Sequence, residues 1–596
     1  MSRGSTLLTE AFRASRPALH SAFAMSVFIN LTLLAVPLYS LQVYDRVLSS
    51  RNLSTLAMLT LIVAAFLALY GILEYVRSAI LLRCGVRFNE VISRPLFELA
   101  LRAQLAGRPA AASQALRDGD TLREALSGST ISTLFDVPWT PAFVAICFLF
   151  HPAMGAVALT GALLIFACAL VTEFATKDGV AAANRQAGDV ARFSAAGLRN
   201  AEIVRGLGMA QAVCGRWQDM QAAMLGEQTR ASERGALTLA FSKSLRMSVQ
   251  VALIGTGAWL AIDRLISPGV MLAAMIIMAR ALAPVEQAVA NWKRLVGARA
   301  ARARLAEMFQ SLPEPAAATL LPEPQGDLKV EHLVLKPRPD AAAVIKDVSF
   351  AIGAGTTLAI IGPSGSGKSS LMRALAGIWC PASGVVRLDG AALDHWKPAQ
   401  LGRHVGYMPQ SVEFFTGTVA ENIARLGAVN DGAVIEAAKA AGMHEAVLAL
   451  PQGYQTVLGD GGAVLSGGMC QRLGLARALF GDPCLVLLDE PNSNLDTAGE
   501  AALVEAIVRM KQARRTAVIV THRPQLLAHV DRVLILANGK VQAFADRNDV
   551  LRKVGGSKVT PLSRRPTAAE VSPDNHRALP STPVAASQVR DETNAA

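Results

Sequence analysis

Three long stretches without a single Asp, Glu, Lys or Arg decide most of what this 596-residue chain can fold into. They cover residues 17–44, 52–73 and 137–172. A helix that crosses a bilayer needs about 20 mostly apolar residues, so each stretch can span one. The third is long enough for two helices. His151-Pro152 in its middle marks the turn, because proline suits the first position of a helix. Two shorter runs, 247–262 and 265–279, flank Asp263-Arg264 and Ser267-Pro268-Gly269, which read as a turn. The first half is therefore expected to form six membrane helices. A charge at the bilayer centre costs about 2.5–3.5 kcal/mol, so Arg246 and Arg280 should reach toward the near face or a wet cavity.

Charge sets the direction of these spans. Residues 77–135 hold eight Arg and no Lys, and residues 177–246 hold ten Lys plus Arg. The opposite connections hold only Arg46 with Arg51, none at His151-Pro152, and Arg264. Basic residues stay on the cytoplasmic side, so both termini and the second half of the chain are expected there. This asymmetry accounts for much of the net charge of +12 and removes the main support for a soluble nucleic-acid-binding ATPase. Charged residues make up only 17% against 52% apolar, with a mean hydropathy of +0.35, a balance that suits a membrane chain. The two basic connections are rich in Ala, Leu and Arg. They should continue the membrane helices as antiparallel pairs well below the bilayer. Their turns are expected near Asp118-Gly119-Asp120 and Asn200-Ala201-Glu202, where they would dock on the second half. The first apolar run is too long for a cleaved signal and reads as a retained span. Cys84, Cys147, Cys168, Cys214, Cys380, Cys470 and Cys484 have neither paired nor metal-ligand spacing, so free thiols are expected.

The second half carries motifs in a fixed order. The apolar run 357–361 reads as a buried strand. It feeds Gly362-Pro363-Ser364-Gly365-Ser366-Gly367-Lys368-Ser369-Ser370, and a helix is expected from Ser369 to Ala376. Strand, glycine loop and helix form the context of a phosphate-binding loop. Its N–H groups and the helix N-terminus close around phosphate oxygens. Lys368 reaches the β- and γ-phosphates and Ser369 offers its hydroxyl to Mg²⁺. A second buried strand, 484–488, ends at Asp489, a candidate for the Mg²⁺ shell. Glu490 follows it and can polarise the attacking water. His522 follows a third apolar strand, 517–521, within reach of the γ-phosphate. A lone histidine at a strand end is more often structural, and only the complete set argues otherwise. Leu465-Ser466-Gly467-Gly468 precedes a helix expected to begin near Met469 and offers another anion site.

With these motifs the chain resembles the ATP-binding cassette superfamily over roughly residues 20–550. The fold so implied is an α-helical six-span transmembrane domain fused to an α/β P-loop ATPase domain. The resemblance implies ATP and Mg²⁺ as cofactors and a head-to-tail homodimer. Each ATP would sit between one copy's phosphate loop and the other's Ser466-Gly467-Gly468. It makes Gln410 the residue linking Mg²⁺ and water to the membrane domain. Ser493-Asn494-Leu495-Asp496 looks like the D-loop, and Thr456 to Gly462, with Asp460, looks like the loop with which exporters sense substrate. Three further stretches are similar to type I secretion permease/ATPases of the protease and lipase exporter branch. These are residues 37–51, Asp136-Val137-Pro138-Trp139-Thr140-Pro141, and residues 280–287. That branch implies the bacterial inner membrane, a periplasmic membrane fusion protein, an outer-membrane channel of the TolC type, and a secreted polypeptide as cargo. A lipid, glycan or small-molecule cargo stays open, because the ATPase motifs do not discriminate among them. A degenerate regulatory cassette is disfavoured, since Lys368, Asp489, Glu490 and His522 are all present.

The chain departs from the family pattern at Met469 and Cys470, where Gln and a basic residue are usual. No aromatic residue in 333–339 is available to stack on adenine. The expected division is a cytoplasmic segment at 1–16, a transmembrane domain at 17–311, a proline-rich linker at 312–327, the cassette at 328–556, and a disordered tail at 557–596 rich in Pro, Ser, Thr and Ala.

Overall fold

The computed structural model describes residues 3–312, 320–338, 341–459 and 465–549. Asp460, part of the linker and the tail from residue 550 lie outside the described residues. The N-terminal half is helical throughout. Helix α1 (Arg3–Leu33) continues through α2 (Ala35–Gln42), a π-helical turn at Val43–Val47 and α3 (Leu48–Ser50). Arg51, in a left-handed conformation, ends this first pass, and the Asn52 side chain caps α4 (Leu53–Leu105). Then come α5 (Pro109–Ser127), α6 (Ser129–Asp136) and α7 (Thr140–Phe150). The rest of the half is α8 (Pro152–Arg199), the short α9 (Ala201–Gly206), α10 (Ala210–Ile262) and α11 (Pro268–Ser311).

The six expected passes correspond to α1–α3, α4, α6–α7, α8, α10 and α11. Among the described residues, five are long and apolar enough to cross a membrane, and α8 contributes the shorter apolar segment Pro152–Cys168. His151 extends out of the helix and caps α8 with its side chain, so the chain turns at His151-Pro152. The turn expected around Ser267-Pro268-Gly269 is also present. The Ser267 hydroxyl caps α11, and Asp45 accepts hydrogen bonds from that hydroxyl and from the Gly269 N–H.

At 1.5 Å per residue, the 53-residue helices α4 and α10 are each about 80 Å long, far more than a bilayer needs. Helix α4 pairs with α5 and α10 with α8. Asn200 breaks the second pair where a turn is expected. The first pair turns elsewhere. Asp118-Gly119-Asp120 lies inside α5, and the reversal is at 106–108, with Gly107 at φ 73°. The physical reason lies in the packing. Asp118 is buried and receives two hydrogen bonds from Arg304 on α11, at 2.8 and 2.6 Å. A Cβ on Gly119 would stand 2.4 Å from Leu96 of α4. An acidic residue and a glycine that resemble a turn are here a salt bridge and a close helix contact. Glu286 likewise lies mid-helix and pairs with Arg246 at 3.1 Å.

The C-terminal half is an α/β domain with three sheets. Strand β1 (Leu328–Leu335) sits between β2 (Ile345–Ile352) and, further along the chain, β4 (Ser383–Leu388), all antiparallel, with β5 (Ala391–Ala392) at the edge. The central sheet has the order β12-β11-β3-β10-β9-β6. Its members are β3 (Thr357–Ile361), β6 (Val405–Met408), β9 (Leu485–Asp489), β10 (Thr516–Val520), β11 (Arg532–Ala537) and β12 (Lys540–Asp546). The pairs β11/β3, β3/β10, β10/β9 and β9/β6 are parallel. Both faces are covered, which is why β9 and β10 are buried at every position and read as unbroken apolar runs. A small two-stranded ribbon, β7 (Gly417–Thr418) with β8 (Val457–Leu458), completes the set, and the short helices α13 (Pro398–His404), α14 (Val419–Ile423), α15 (Asp431–Ala440) and α16 (His444–Leu448) lie between β5 and β9 in the chain. Parallel strands send their C-terminal ends to one edge of the sheet, and ligand sites gather there.

Candidate nucleotide site

That edge gathers most of the sequence-derived residues. Gly362 leaves β3 where a Cβ would lie 2.0 Å from the Leu536 carbonyl oxygen, so no side chain fits. The loop turns through a Ser366 N–H to Pro363 carbonyl hydrogen bond, with Ser364 and Gly365 exposed at its tip. Gly367, at φ 101°, caps helix α12 (Lys368–Leu375). Lys368 is 6% exposed and folds across its own loop. Its Nζ donates to the carbonyls of Gly362 at 2.9 Å and Pro363 at 3.0 Å. A cation thus stands in a nest of glycine N–H groups at a helix start, with Ser369 and Ser370 in the first turn, an arrangement that attracts phosphate.

Asp489 ends β9 beside this loop and accepts a hydrogen bond from the Ser369 side chain. Burial pushes its carboxyl above the usual carboxylate range. Ser369 pulls it back, and the neighbouring Glu490 charge raises it again. Two buried atoms here, Asp489 Oδ1 and Ser366 Oγ, have no hydrogen-bond partner among the described residues. Buried polar groups are rarely left so, and a hydrated cation with a phosphate would satisfy both. One carboxylate and one hydroxyl suit Mg²⁺, which binds few protein groups and takes the rest from phosphate and water. Among the described residues no cluster of three or more His, Cys, Asp or Glu could hold a metal by itself.

Glu490 occupies a left-handed conformation at φ 50°, costly for a non-glycine residue and typical of functional positions. Its N–H is anchored on the Val520 carbonyl at the end of β10. Gln410, just beyond β6, donates to Glu490 Oε2 at 2.9 Å. His522, just beyond β10, lies 3.9 Å from Oε1 through its Nε2. The three come from adjacent strand ends, and their meeting follows from the order of the central sheet.

Ser466, Gly467 and Gly468 are not part of this cluster. Helix α17 (Gly467–Leu479) begins two residues before the expected Met469, with the Ser466 hydroxyl capping the Met469 N–H. No hydrogen bond links the three residues to the phosphate loop or the carboxylates among the described residues. The expected D-loop runs from β9 to α18 (Thr497–Gln512), whose N-cap is Asp496. Two residues here escape sequence reading. Gln471 is 3% exposed and hydrogen-bonds to Ser493 and Asn494. Asn492 accepts a hydrogen bond from Thr521, next to His522. The one signal in the sequence is a glutamine among apolar positions of a helix.

Residues 20–285 match the family model of the ABC transporter transmembrane region, and residues 345–493 match that of the ABC transporter. The chain is 43% identical over 546 residues to the type I secretion system ATP-binding protein PrsD of Rhizobium meliloti (strain 1021), covering 91% of this chain and 94% of that one. The chain belongs to the ABC transporters. Within that family it is also 27% identical over 544 residues to the leukotoxin translocation ATP-binding protein LktB of Mannheimia glucosida, covering 89% of this chain and 76% of that protein. A solved bacterial Atm1-family ABC exporter with ATP bound shares the fold, with a TM-score of 0.78 at 22% identity over 91% of this chain and 96% of that one. This ABC transporter is accordingly a multi-pass membrane protein that hydrolyses ATP.

Proposed function

We propose that this ABC transporter is the inner-membrane ATPase of a type I secretion system and exports polypeptides. One observation carries the proposal: its likeness to PrsD extends over 94% of that type I secretion protein, membrane half and cassette together. The resemblance to the leukotoxin translocation protein points to the same class of cargo. The working unit is a homodimer with its cassettes in the cytoplasm, joined to a periplasmic membrane fusion protein and a TolC-type outer-membrane channel.

Each ATP binds between the phosphate loop of one copy and Ser466, Gly467 and Gly468 of the other. Within one chain the two anion sites stand at the starts of different helices, which supports this division. Lys368 and the N–H groups of 364–370 hold the phosphates, with Gly362 and Pro363 shaping the loop. Asp489, Ser369 and Gln410 would hold Mg²⁺, which would neutralise phosphate charge. Glu490 takes a proton from the attacking water. The water oxygen bonds to the γ-phosphorus as the bond to the β-phosphate oxygen breaks. His522 orients water and γ-phosphate. Gln410 donates to Glu490 Oε2 and leaves Oε1 for the water, and through this contact it passes the state of the site to the membrane half. Two contacts receive it. The turn at 106–108 lies against Arg338 of the cassette. Helix α9 and its C-cap present Ile203 and Leu207, 55% and 71% exposed, and dock on the partner's cassette.

Deleting the gene and comparing secreted proteins tests the proposal. Loss of one or a few proteins from the medium, restored by the wild-type gene, is expected. An unchanged set of secreted proteins with altered surface lipid or glycan would overturn polypeptide export.

A further inference from the structure

Gln471 sits one turn into α17 and is almost completely buried. At 3% exposure it has almost no access to water, so an unpaired amide there would be costly. Both ends of the amide are used. Nε2 donates to the Ser493 hydroxyl, and Oε1 accepts from the Asn494 N–H at 3.0 Å. The contact extends up the helix. A Cβ on Gly467 would lie 3.6 Å from Asn494 Cβ, and one on Gly468 would lie 3.2 Å from the Asn494 carbonyl oxygen. The other end of the same short segment is Glu490. The Ser493 N–H donates to the Glu490 carbonyl at 3.3 Å, and Asn492 accepts from Thr521 beside His522. A rigid helix start and a strained carboxylate are thus joined through five residues, with Gln471 as the side chain that fastens one to the other.

We propose that Gln471 is a positioning residue that ties the two ATP sites of the dimer together. This rests on the head-to-tail homodimer proposed above. There, the start of α17 meets the ATP held by the partner, while Glu490 acts on the ATP held by its own loop. When Ser466 and its neighbours close on the partner's γ-phosphate, α17 moves as a body. Gln471 carries Ser493 and Asn494 with it, and Glu490 follows through the Ser493–Glu490 hydrogen bond. ATP engaged at one site therefore sets the catalytic carboxylate of the other. Symmetry makes the effect mutual, as coupling between sites must be.

The test is ATP hydrolysis by the full-length protein in lipid nanodiscs as a function of ATP concentration. The wild type should be sigmoidal, with a Hill coefficient above 1 and bounded by about 2, the number of sites. Gln471→Leu keeps the shape without the hydrogen bonds and should give a hyperbolic curve. Gln471→Glu should stay sigmoidal, because a carboxylate accepts from both the Ser493 hydroxyl and the Asn494 N–H. Ser493→Ala, at an exposed position, removes one bond without disturbing the core and should lower the Hill coefficient even if Gln471→Leu fails to fold. A sigmoidal Ser493→Ala and Gln471→Leu, or a hyperbolic wild type, overturns the coupling role. The mass of the nanodisc complex separates the two layers of the proposal. One chain per disc removes the dimer and the coupling together. Two chains with sigmoidal variants remove only the coupling.

Discussion

Asp489 illustrates how much of the site rests on single side chains. Its carboxyl is held above the usual range mainly by burial, and cation binding requires the charged form. Protons and Mg²⁺ therefore compete for it. The acid limb of the ATPase pH profile should lie above the ordinary carboxylate range at low Mg²⁺ and move to lower pH as Mg²⁺ rises. A limb that ignores Mg²⁺ would remove Asp489 from the cation shell. Glu490→Gln should lower turnover by about 10²–10⁴-fold with ATP binding retained, as measured by equilibrium binding of labelled ATP. Lys368→Ala should weaken binding itself. The motif residues were legible in the sequence because their chemistry needs fixed types at fixed spacing. Gln471 was not, since its role depends on a fold that brings α17 against the segment after β9.

Among the elements, the long helices were legible from charge-free runs and the buried strands from their apolar composition. Their junctions were less so. Asp118-Gly119-Asp120 has the composition of a turn, but a salt bridge and a close helix contact keep it inside α5. Arg304→Ala would leave the buried Asp118 carboxylate with Gln114 as its remaining side-chain donor, at a cost of about 1–3 kcal/mol. Thermal unfolding in detergent should show the loss, and Asp118→Ala in the same chain should recover part of it. Helix α9 has the opposite character, a short element with Ile203 and the following Leu207 exposed. Changing both Ile203 and Leu207 to Glu should leave ATP binding unchanged but abolish secretion in a cell-based assay. Full secretion from that variant would remove α9 as a contact between copies.

For the whole molecule, a helical membrane half and an α/β cassette meet where the turn at 106–108 lies against Arg338. The membrane half has no nucleotide chemistry. The cassette has two half-sites, Lys368 with Glu490 and Ser466 with Gly468, set on different elements of one chain. Charge asymmetry carries the expected orientation, whereas the proposed pairing of two copies rests on the separation of the half-sites. That pairing is the central claim. Purified Glu490→Gln protein in nanodiscs, incubated with Mg²⁺ and labelled ATP, provides its most direct measurement. The stoichiometry of ATP retained after rapid gel filtration should be two per pair of chains, with retention lost in the Ser466→Arg variant. ATP held equally well by a single chain, or retained regardless of Ser466→Arg, would contradict it.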